Sequence, residues 1–244
     1  MRSVVVTGGS RGLGLAIVQR LTAEGYRAIA VARRMNDQLA STIAAAEQSA
    51  PGSVQFIPFD LGDIKHIPDL AKGLHKSFGP IYGLVNNAAI GSDGALAIMH
   101  NSEIEHLIRV NTLSPIVLTK YVVRHMMADG GGRVINVASI LGFTGCSGLS
   151  VYGATKASMI GFTRSLAREV GPGGVNVNAI APGFMETDMT QGLNGERREK
   201  VARRSALRRF AAVEDVAEAI EFLLGAGAKN ITGTVLTVDA GATA

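Results

Sequence analysis

The sequence of 244 residues is poor in cysteine, in charged residues and in long apolar runs. Its one cysteine, Cys146, rules out a disulfide within the chain and supplies no cysteine cluster for a structural metal site. We therefore expect a reducing, cytoplasmic location. No apolar run reaches the roughly 18–20 residues that a membrane helix needs. The apolar start at Val4 meets glycine too soon for a signal peptide. With 47% hydrophobic and 18% charged residues, the composition is that of a globular protein with a substantial core.

The net charge of +4 is concentrated in one segment. Residues 196–209 contain seven arginines and lysines and two glutamates, so this segment carries +5 and the rest of the chain about −1. One local basic segment does not indicate a nucleic-acid-binding protein. The five histidines show no metal-ligand spacing, so we also expect no metal site.

Short apolar runs alternate with helical patterns from one end of the chain to the other. The predicted strands are 4–6, 28–32, 54–57, 82–87, 133–138, 175–180 and 235–238. The predicted helices are 15–24, 37–49, 64–78, 101–128 with a break near Asn111 and Pro115, 151–170, 190–209 and 213–224. This alternation predicts an α/β fold, a single Rossmann domain over residues 1–244 whose doubly wound parallel sheet has about seven strands and helices on both faces. Ligands of such sheets bind beyond the carboxyl ends of the strands.

A glycine-rich loop joins the first predicted strand to the first predicted helix. Residues 7–14 read Thr-Gly-Gly-Ser-Arg-Gly-Leu-Gly, and the glycines at 8, 12 and 14 permit positive φ and close backbone approach. The start of the helix offers free N–H groups and a partial positive charge to a pyrophosphate. The loop therefore predicts dinucleotide binding, with a tight turn that holds no ligand as the alternative.

Arginines take the place where an NAD site usually has an acid. The second strand is followed by Arg33 and Arg34, and Arg11 lies in the glycine loop. A guanidinium group matches a 2′-phosphate, whereas an acid would bind the ribose 2′-hydroxyl. We therefore predict NADPH/NADP⁺ as the cofactor, with solvated surface arginines as the alternative.

Three polar side chains are predicted to converge next to the fifth strand. Ser139 follows the strand, and Tyr152 and Lys156 are four residues apart in the next helix, so that they share one helix face. A hydroxyl, a phenol and an ammonium group in this arrangement suit proton transfer to or from an oxygen. Because this spacing also arises by chance, only the rest of the chain can indicate whether these residues form a catalytic site.

Taken together, these residues resemble the short-chain dehydrogenases/reductases. The resemblance covers almost the whole chain, in the family's order, and rests on Thr-Gly-x-x-x-Gly-x-Gly at 7–14, Asp60-Leu61, Asn-Asn-Ala-Ala at 86–89, Asn111, Ser139, Tyr152-x-x-x-Lys156 and Pro182-Gly183. Ala89 stands where the family usually has glycine, and we expect only slight crowding there. Within the family, residues 181–190 and 231–239 look most like the 3-oxoacyl-(acyl-carrier-protein) reductases.

The resemblance implies a catalytic set of Asn111, Ser139, Tyr152 and Lys156. Tyr152 would protonate a carbonyl oxygen, and Ser139 would donate a hydrogen bond to that oxygen. Lys156 and the positive nicotinamide of the oxidised cofactor would lower the pKa of the phenol from its ordinary value of ~10. Lys156 would also hold the nicotinamide ribose. Asn111 would position a water that links Lys156 to solvent.

The resemblance also implies cofactor contacts along the same sheet edge. Asp60 would bind the adenine amino group beside the N–H of Leu61, and Asn87 would line the adenosine ribose. Met185 and Thr187 would close over the nicotinamide carboxamide. The other expected cofactor contacts are Gly8, Ser10, Arg11, Gly12, Leu13, Gly14, Arg33, Ala88, Tyr152, Lys156, Pro182 and Gly183.

The implied function is NADPH-dependent reduction of a carbonyl to a secondary alcohol, with a 3-oxoacyl thioester as substrate and acyl carrier protein or CoA as its carrier. The alternatives are a reductase or dehydrogenase of another small ketone or alcohol, and a non-catalytic dinucleotide-binding protein, against which the four catalytic residues argue.

The resemblance further implies a homotetramer with a lid at 184–210. Members that serve a carrier protein often have basic residues at places that here read Ala-Asp-Gly-Gly-Gly at 128–132 and Gly-Pro-Gly-Gly at 171–174. The basic segment 197–209 could replace them, and a solvated helix is the competing interpretation.

Overall fold

The protein is built around a single parallel sheet. The computed structural model describes residues 1–185 and 195–244, and the side chains of all of these except 195–197. Within these residues the strands are β1 Ser3–Thr7, β2 Arg27–Ala32, β3 Val54–Pro58, β4 Ile81–Asn86, β5 Gly132–Val137, β6 Val175–Pro182 and β7 Val235–Val238. Every predicted strand is therefore confirmed to within two residues at each end.

The strand order is β3-β2-β1-β4-β5-β6-β7, and every neighbouring pair is parallel. Along β1, Val4 and Val6 belong to the core on one face of the sheet and Val5 to the core on the other. Burial on both faces explains why the strands read as continuous apolar runs. The predicted fold class, a single-domain doubly wound Rossmann fold, is confirmed.

Helices cover both faces of the sheet. They are α1 Gly12–Ala23, α2 Asp37–Ser49, α3 Ile67–Phe78, α4 Asn101–Ile108, α5 Ser114–Ala128, α6 Ser150–Val170, α7 Gly195–Ala202 and α8 Val213–Leu224. Side chains of α1, α2 and α8 pack in one core, and those of α3, α5 and α6 pack in the other. Among the helices that the structure describes, none has the length and apolar character of a membrane span.

The structure departs from the prediction in two helical regions. The expected break near Asn111 is a π-helical segment, Arg109–Leu113, that joins α4 to α5 without ending the helical path. The predicted helix 190–209 is wrong beyond Ala202, and its first five residues lie outside the described part. The chain turns at Ser205, whose buried hydroxyl bonds the backbone of Ala202 and Arg209 and so replaces helical hydrogen bonds.

A buried polar network ties the middle of the sheet to α5 and α6. Asn86 and Asn136 are register partners on β4 and β5, and the amide of Asn86 donates to Asn136 at 2.8 Å. The same amide donates to Thr119 on α5, and the amide of Asn136 donates to Thr163 on α6. Because unsatisfied buried amides are costly, this network favours one register of β4 against β5.

Candidate active site

The carboxyl ends of β1, β4, β5 and β6 bring most of the predicted site residues to one edge of the sheet. The glycine loop follows β1, Asn87 and Ala88 follow β4, Ser139 follows β5, and Gly183 follows β6. Arg33 and Asp60 lie farther along the same edge, beyond β2 and β3, and both are exposed.

The glycine loop forms a tight cradle at the start of α1. Gly8 has φ of 68°, in the region that favours glycine. A Cβ on Gly14 would lie 2.0 Å from the carbonyl oxygen of Gly8, and one on Gly9 would lie 2.8 Å from the Cβ of Ala30. The loop can therefore pack this closely against β2 and the start of α1 only because residues 9 and 14 have no side chain. The space and the N–H groups at the start of α1 fit the pyrophosphate of a dinucleotide. The sequence analysis missed Gly9.

Thr7 holds the glycine loop against the end of β4, and the sequence analysis missed this role. Its hydroxyl accepts hydrogen bonds from the backbone N–H groups of Asn87 and Ala88 at 2.9 and 3.0 Å, and donates to the carbonyl of Val85 at 3.2 Å. The side-chain amide of Asn87 donates to the carbonyl of Thr7 at 2.8 Å. Asn87 therefore fixes the loop from the side, and its predicted contact with the adenosine ribose stays a prediction. A buried threonine at the end of a strand was the available signal, because its hydroxyl must find partners.

Asp60 and Leu61 form the far end of the site. The Asp60 carboxylate accepts a hydrogen bond from the backbone N–H of Gly62 at 2.9 Å, which fixes the turn that follows β3. Leu61 is buried, whereas Asp60 is exposed. An oriented carboxylate at this edge is suited to accept a hydrogen bond from an exocyclic amino group.

The predicted serine, tyrosine and lysine come together at the junction of β5 and α6. Ser139 caps a short helix, Ile140–Gly142, and its hydroxyl accepts from the N–H of Leu141 at 3.2 Å. Tyr152 lies in the first turn of α6, and the Ser139 hydroxyl lies close enough to it to lower its pKa by hydrogen bonding. The Nζ of Lys156 lies 5.6 Å from the centre of the Tyr152 ring and donates to the carbonyl of Val137 at 2.8 Å. This close packing depends on Gly142, where a Cβ would lie 3.0 Å from the backbone of Lys156.

Burial shifts the pKa values of the tyrosine and the lysine in opposite directions. Desolvation raises the pKa of Tyr152 to about 12, against a smaller lowering by the Ser139 hydrogen bond. Desolvation lowers the pKa of Lys156 to about 8. In the chain without cofactor the pKa of the phenol is therefore raised, because desolvation dominates. The predicted lowering, which includes the positive charge of the oxidised nicotinamide, stays a prediction. At neutral pH the phenol is protonated, which is the form that a proton donor needs.

Asn111 lies in the π-helical segment and is buried. Its side chain pairs with the backbone of Ile90, accepting from the N–H at 2.9 Å and donating to the carbonyl at 2.8 Å. It also donates to the hydroxyl of Thr155, the neighbour of Lys156, at 3.3 Å. Asn111 thus connects the loop after β4 to the catalytic helix, and its predicted water-positioning role stays a prediction.

The segment after β6 completes the edge. Gly183 lies against β7, since a Cβ there would be 2.7 Å from the Cβ of Asp239. Met185 forms a bridge with Ala211, and the Phe184 and Phe210 rings lie 6.2 Å apart. The two ends of the predicted lid 184–210 are therefore adjacent. Thr187 lies outside the described residues.

Comparison with known proteins identifies the family. The sequence model of the short chain dehydrogenases matches residues 2–198. This chain belongs to the short-chain dehydrogenase family. The 3-oxoacyl-(acyl-carrier-protein) reductase FabG of Escherichia coli (strain K12) is 37% identical over 238 residues, which cover 97% of this chain and 95% of the relative. Carbonyl reductase family member 4 of Xenopus tropicalis is 36% identical over 236 residues, with the same shares covered.

The fold of this short-chain dehydrogenase agrees with solved members. A short chain dehydrogenase from Burkholderia cenocepacia J2315, solved in complex with NADP, superimposes with a TM-score of 0.91 at 33% identity and covers 100% of this chain and 98% of its own. The chain is thus an oxidoreductase, as expected. In residues 1–185 and 195–244, histidine, cysteine, aspartate and glutamate form no group of three or more that could hold a metal ion.

The lowered pKa of Lys156 gives a testable pH dependence. Because the ammonium form predominates only below about pH 8, kcat/KM for carbonyl reduction will fall about tenfold per pH unit above that value. Tyr152 stays protonated throughout this range, so the alkaline limb belongs to Lys156. Measurements of kcat/KM from pH 6 to 10 check this. A profile that is flat to pH 9.5 would show that the ammonium is not required, and Lys72→Arg on the exposed side of α3 should leave the limb where it is.

Proposed function

We propose that this short-chain dehydrogenase is an NADPH-dependent carbonyl reductase whose substrates are 3-oxoacyl thioesters. The observation that carries the proposal is the pair of Tyr152 and Ser139. A half-buried phenol that is protonated at neutral pH lies next to a serine hydroxyl, at the same sheet edge as the glycine cradle. The reductase of Escherichia coli supports the thioester assignment, because its name states a 3-oxoacyl substrate on a carrier protein.

The glycine cradle and its neighbours are suited to hold the dinucleotide. The start of α1 would bind the pyrophosphate, and Asp60 and Leu61 would bind the adenine end. The exposed guanidinium of Arg33, after β2, would bind the 2′-phosphate. In support, the Burkholderia cenocepacia structure was solved with NADP. When bound, NADPH supplies the hydride that reduces the carbonyl carbon.

The chain's own residues would bind the carbonyl oxygen and deliver its proton. The hydroxyls of Ser139 and Tyr152 would both donate hydrogen bonds to the oxygen, which polarises the C=O bond. Tyr152 would then transfer its proton as negative charge develops on the oxygen. The neighbouring Lys156 ammonium would stabilise the phenolate that remains, and Asn111 would order a water that returns a proton from solvent by way of Lys156.

Removal of the tyrosine hydroxyl tests the function directly. We expect the wild-type protein to oxidise NADPH with acetoacetyl-CoA and to prefer it to simple ketones. Tyr152→Phe should lower kcat at least about a hundredfold, because it removes the proton donor. The Kd for NADPH, measured by fluorescence titration, should change less than about threefold.

Tyr121→Phe is the matched control, because this tyrosine lies on α5 outside the site and should keep wild-type turnover. Turnover retained in Tyr152→Phe would refute the catalytic assignment. A wild-type protein that ignores acetoacetyl-CoA and reduces a simple ketone would favour the alternative, a reductase of another small carbonyl compound. The carbonyl reductase relative of Xenopus tropicalis keeps that alternative open.

Arg33 is expected to set the preference for NADPH. Arg33→Ala should raise the KM for NADPH about 10- to 100-fold, since a charged hydrogen bond to a phosphate contributes roughly 1.5–3 kcal/mol. The KM for NADH should hardly change. Steady-state kinetics with both cofactors check this, with Lys72→Ala as the charge-matched control. Equal or tighter binding of NADH by the wild-type protein would contradict the assignment.

We also propose that the chain is a single domain, with residues 184–210 as a lid, and that four copies form a homotetramer. The tetramer would function in fatty acid biosynthesis in the cytoplasm. The exposed faces of α4 to α6 supply one contact, and Ile108 and Leu113 are 47% and 41% exposed there. The edge strand β7 supplies the second contact, because no strand among residues 1–185 and 195–244 pairs with its outer backbone groups.

Light scattering should give a mass of about four 25.4-kDa chains. The double variant Ile108→Asp with Leu113→Asp should give a smaller assembly, because it places charges in an apolar contact. The double variant Lys72→Asp with Lys76→Asp on α3 is the control. A monomeric wild-type protein would contradict the tetramer.

A further inference from the structure

A surface that the proposed chemistry does not explain is formed by basic side chains on α7 and in the segment between α7 and α8. We define the basic turn as Arg198, Lys200, Arg203, Arg204, Arg208 and Arg209, all of which are exposed. The only acidic residue between positions 198 and 209 is Glu199, which pairs with Arg203 at 2.9 Å. The basic turn therefore carries a net charge of about +5. An excess of positive charge on one exposed segment attracts an external anion.

The basic turn is folded against the end of the sheet. The N–H groups of Ala206 and Leu207 donate to the carbonyls of Gly241 and Ala240 at 3.2 and 3.0 Å. The buried Ser205 hydroxyl closes the turn by accepting from the N–H of Arg209 and bonding its carbonyl. The arginines are thus presented by a defined backbone, as a recognition surface requires.

The position of the basic turn is as informative as its charge. Residues 239–241 follow β7, so the basic turn lies at the carboxyl edge of the sheet together with Tyr152 and the glycine cradle. The loops 128–132 and 171–174 lie at the opposite edge, where the N–H of Gly132 donates to the carbonyl of Gly174, and they contain no lysine or arginine. A carrier bound at the basic turn would deliver its thioester to the edge where the catalytic residues are.

An exposed apolar side chain lies among the arginines. Leu207 is 61% exposed, and in the sequence it lies between Arg204 and Arg208. Arginine and large apolar side chains are both typical of protein contact surfaces, whereas recognition of a small phosphate compound needs no exposed leucine. The combination fits an acidic protein surface with an apolar centre better than it fits CoA.

We propose that the basic turn, with Leu207 at its centre, is the docking surface for an acidic acyl carrier protein that presents the thioester to Tyr152. This inference rests on the proposed function, because it assumes a carrier-bound 3-oxoacyl substrate. Surface charge would act mainly on the encounter between the two proteins. Its removal should therefore raise KM and lower kcat/KM for the carrier-bound substrate, and leave kcat nearly unaltered.

The test compares one acyl group on three carriers. The substrates are acetoacetyl-acyl carrier protein, acetoacetyl-CoA, and acetoacetyl-N-acetylcysteamine, which has neither a protein nor a phosphate. In the double variant Arg204→Glu with Arg208→Glu, kcat/KM for the protein-bound substrate should fall about tenfold or more. Because both arginines lie in the proposed lid 184–210, an effect on the lid itself should be shared by all three thioesters. The ratio of kcat/KM for the protein-bound substrate to that for either other thioester should therefore fall about tenfold. Addition of salt should weaken the wild-type reaction with the carrier protein and abolish the difference between the two enzymes.

Two further variants keep the test specific. Leu207→Gln should also raise KM for the carrier-bound substrate alone. Lys72→Glu with Lys76→Glu on α3 makes the same charge change away from the site and should leave all three substrates unaffected. The mass of each variant is checked by light scattering, so that a change of assembly is not taken for a loss of docking.

The possible outcomes separate the inference from the function on which it rests. If the arginine variant loses acetoacetyl-CoA as strongly as the carrier protein, the basic turn binds phosphate and the docking proposal is wrong. Unchanged kinetics with the carrier protein would also overturn it. If the wild-type enzyme reduces none of the three thioesters, the proposed function itself fails, and the docking surface fails with it.

Discussion

The hydrogen bond from the Lys156 ammonium to the carbonyl of Val137 is the interaction on which the candidate site depends. The bond joins α6 to the end of β5. Tyr152 lies one helical turn before Lys156, so the bond also holds Tyr152 beside Ser139. A buried ammonium is costly, and desolvation lowers its pKa to about 8. Between that value and the ordinary pKa of 10.5, the unfolded chain binds more protons than the folded one. The free energy of unfolding therefore rises with pH between about 8 and 10.5. Below pH 8 the folded protein keeps the buried ammonium charged, which lowers its stability.

This arrangement needs a sheet whose strand ends are accurately aligned, and buried polar groups provide the alignment. The pairing of Asn86 with Asn136 disfavours a shift of β4 against β5, because a shift by one residue would turn the amide of the shifted strand to the opposite face and break the pair. Thr7 does the same for β1 and β4 by accepting two backbone hydrogen bonds from the chain after β4. The central strands therefore carry both the apolar core and the register of the site.

Much of the fold and of the site's membership could be predicted from the sequence. Apolar runs and turn residues gave all seven strands, because a parallel sheet buries both faces and leaves a strong pattern. The position of Ser139 after β5 and the four-residue spacing of Tyr152 and Lys156 placed these residues together. Individual hydrogen-bond partners could not be predicted, since they depend on approaches of a few tenths of an ångström between backbones. Asn87 bonds Thr7, and Asn111 bonds Ile90, for reasons that only the folded chain supplies. The raised pKa of Tyr152 in the chain without cofactor could not be predicted, because burial, which raises it, is a property of the packed structure.

Near the end of the chain, Asp239 fixes a short segment that contacts both the loop after β6 and the basic turn. Asp239 follows β7, and its two oxygens accept from the N–H groups of Gly241 and Thr243 at 2.9 Å each. Gly183 packs against its Cβ on one side, and the backbone of Gly241 holds Ala206 on the other. A change at Asp239 would therefore displace both the loop after β6 and the turn that presents the arginines. The same short segment positions the chemistry and the surface that we assign to the carrier, so the geometry between them is set by backbone contacts within one rigid edge of the sheet.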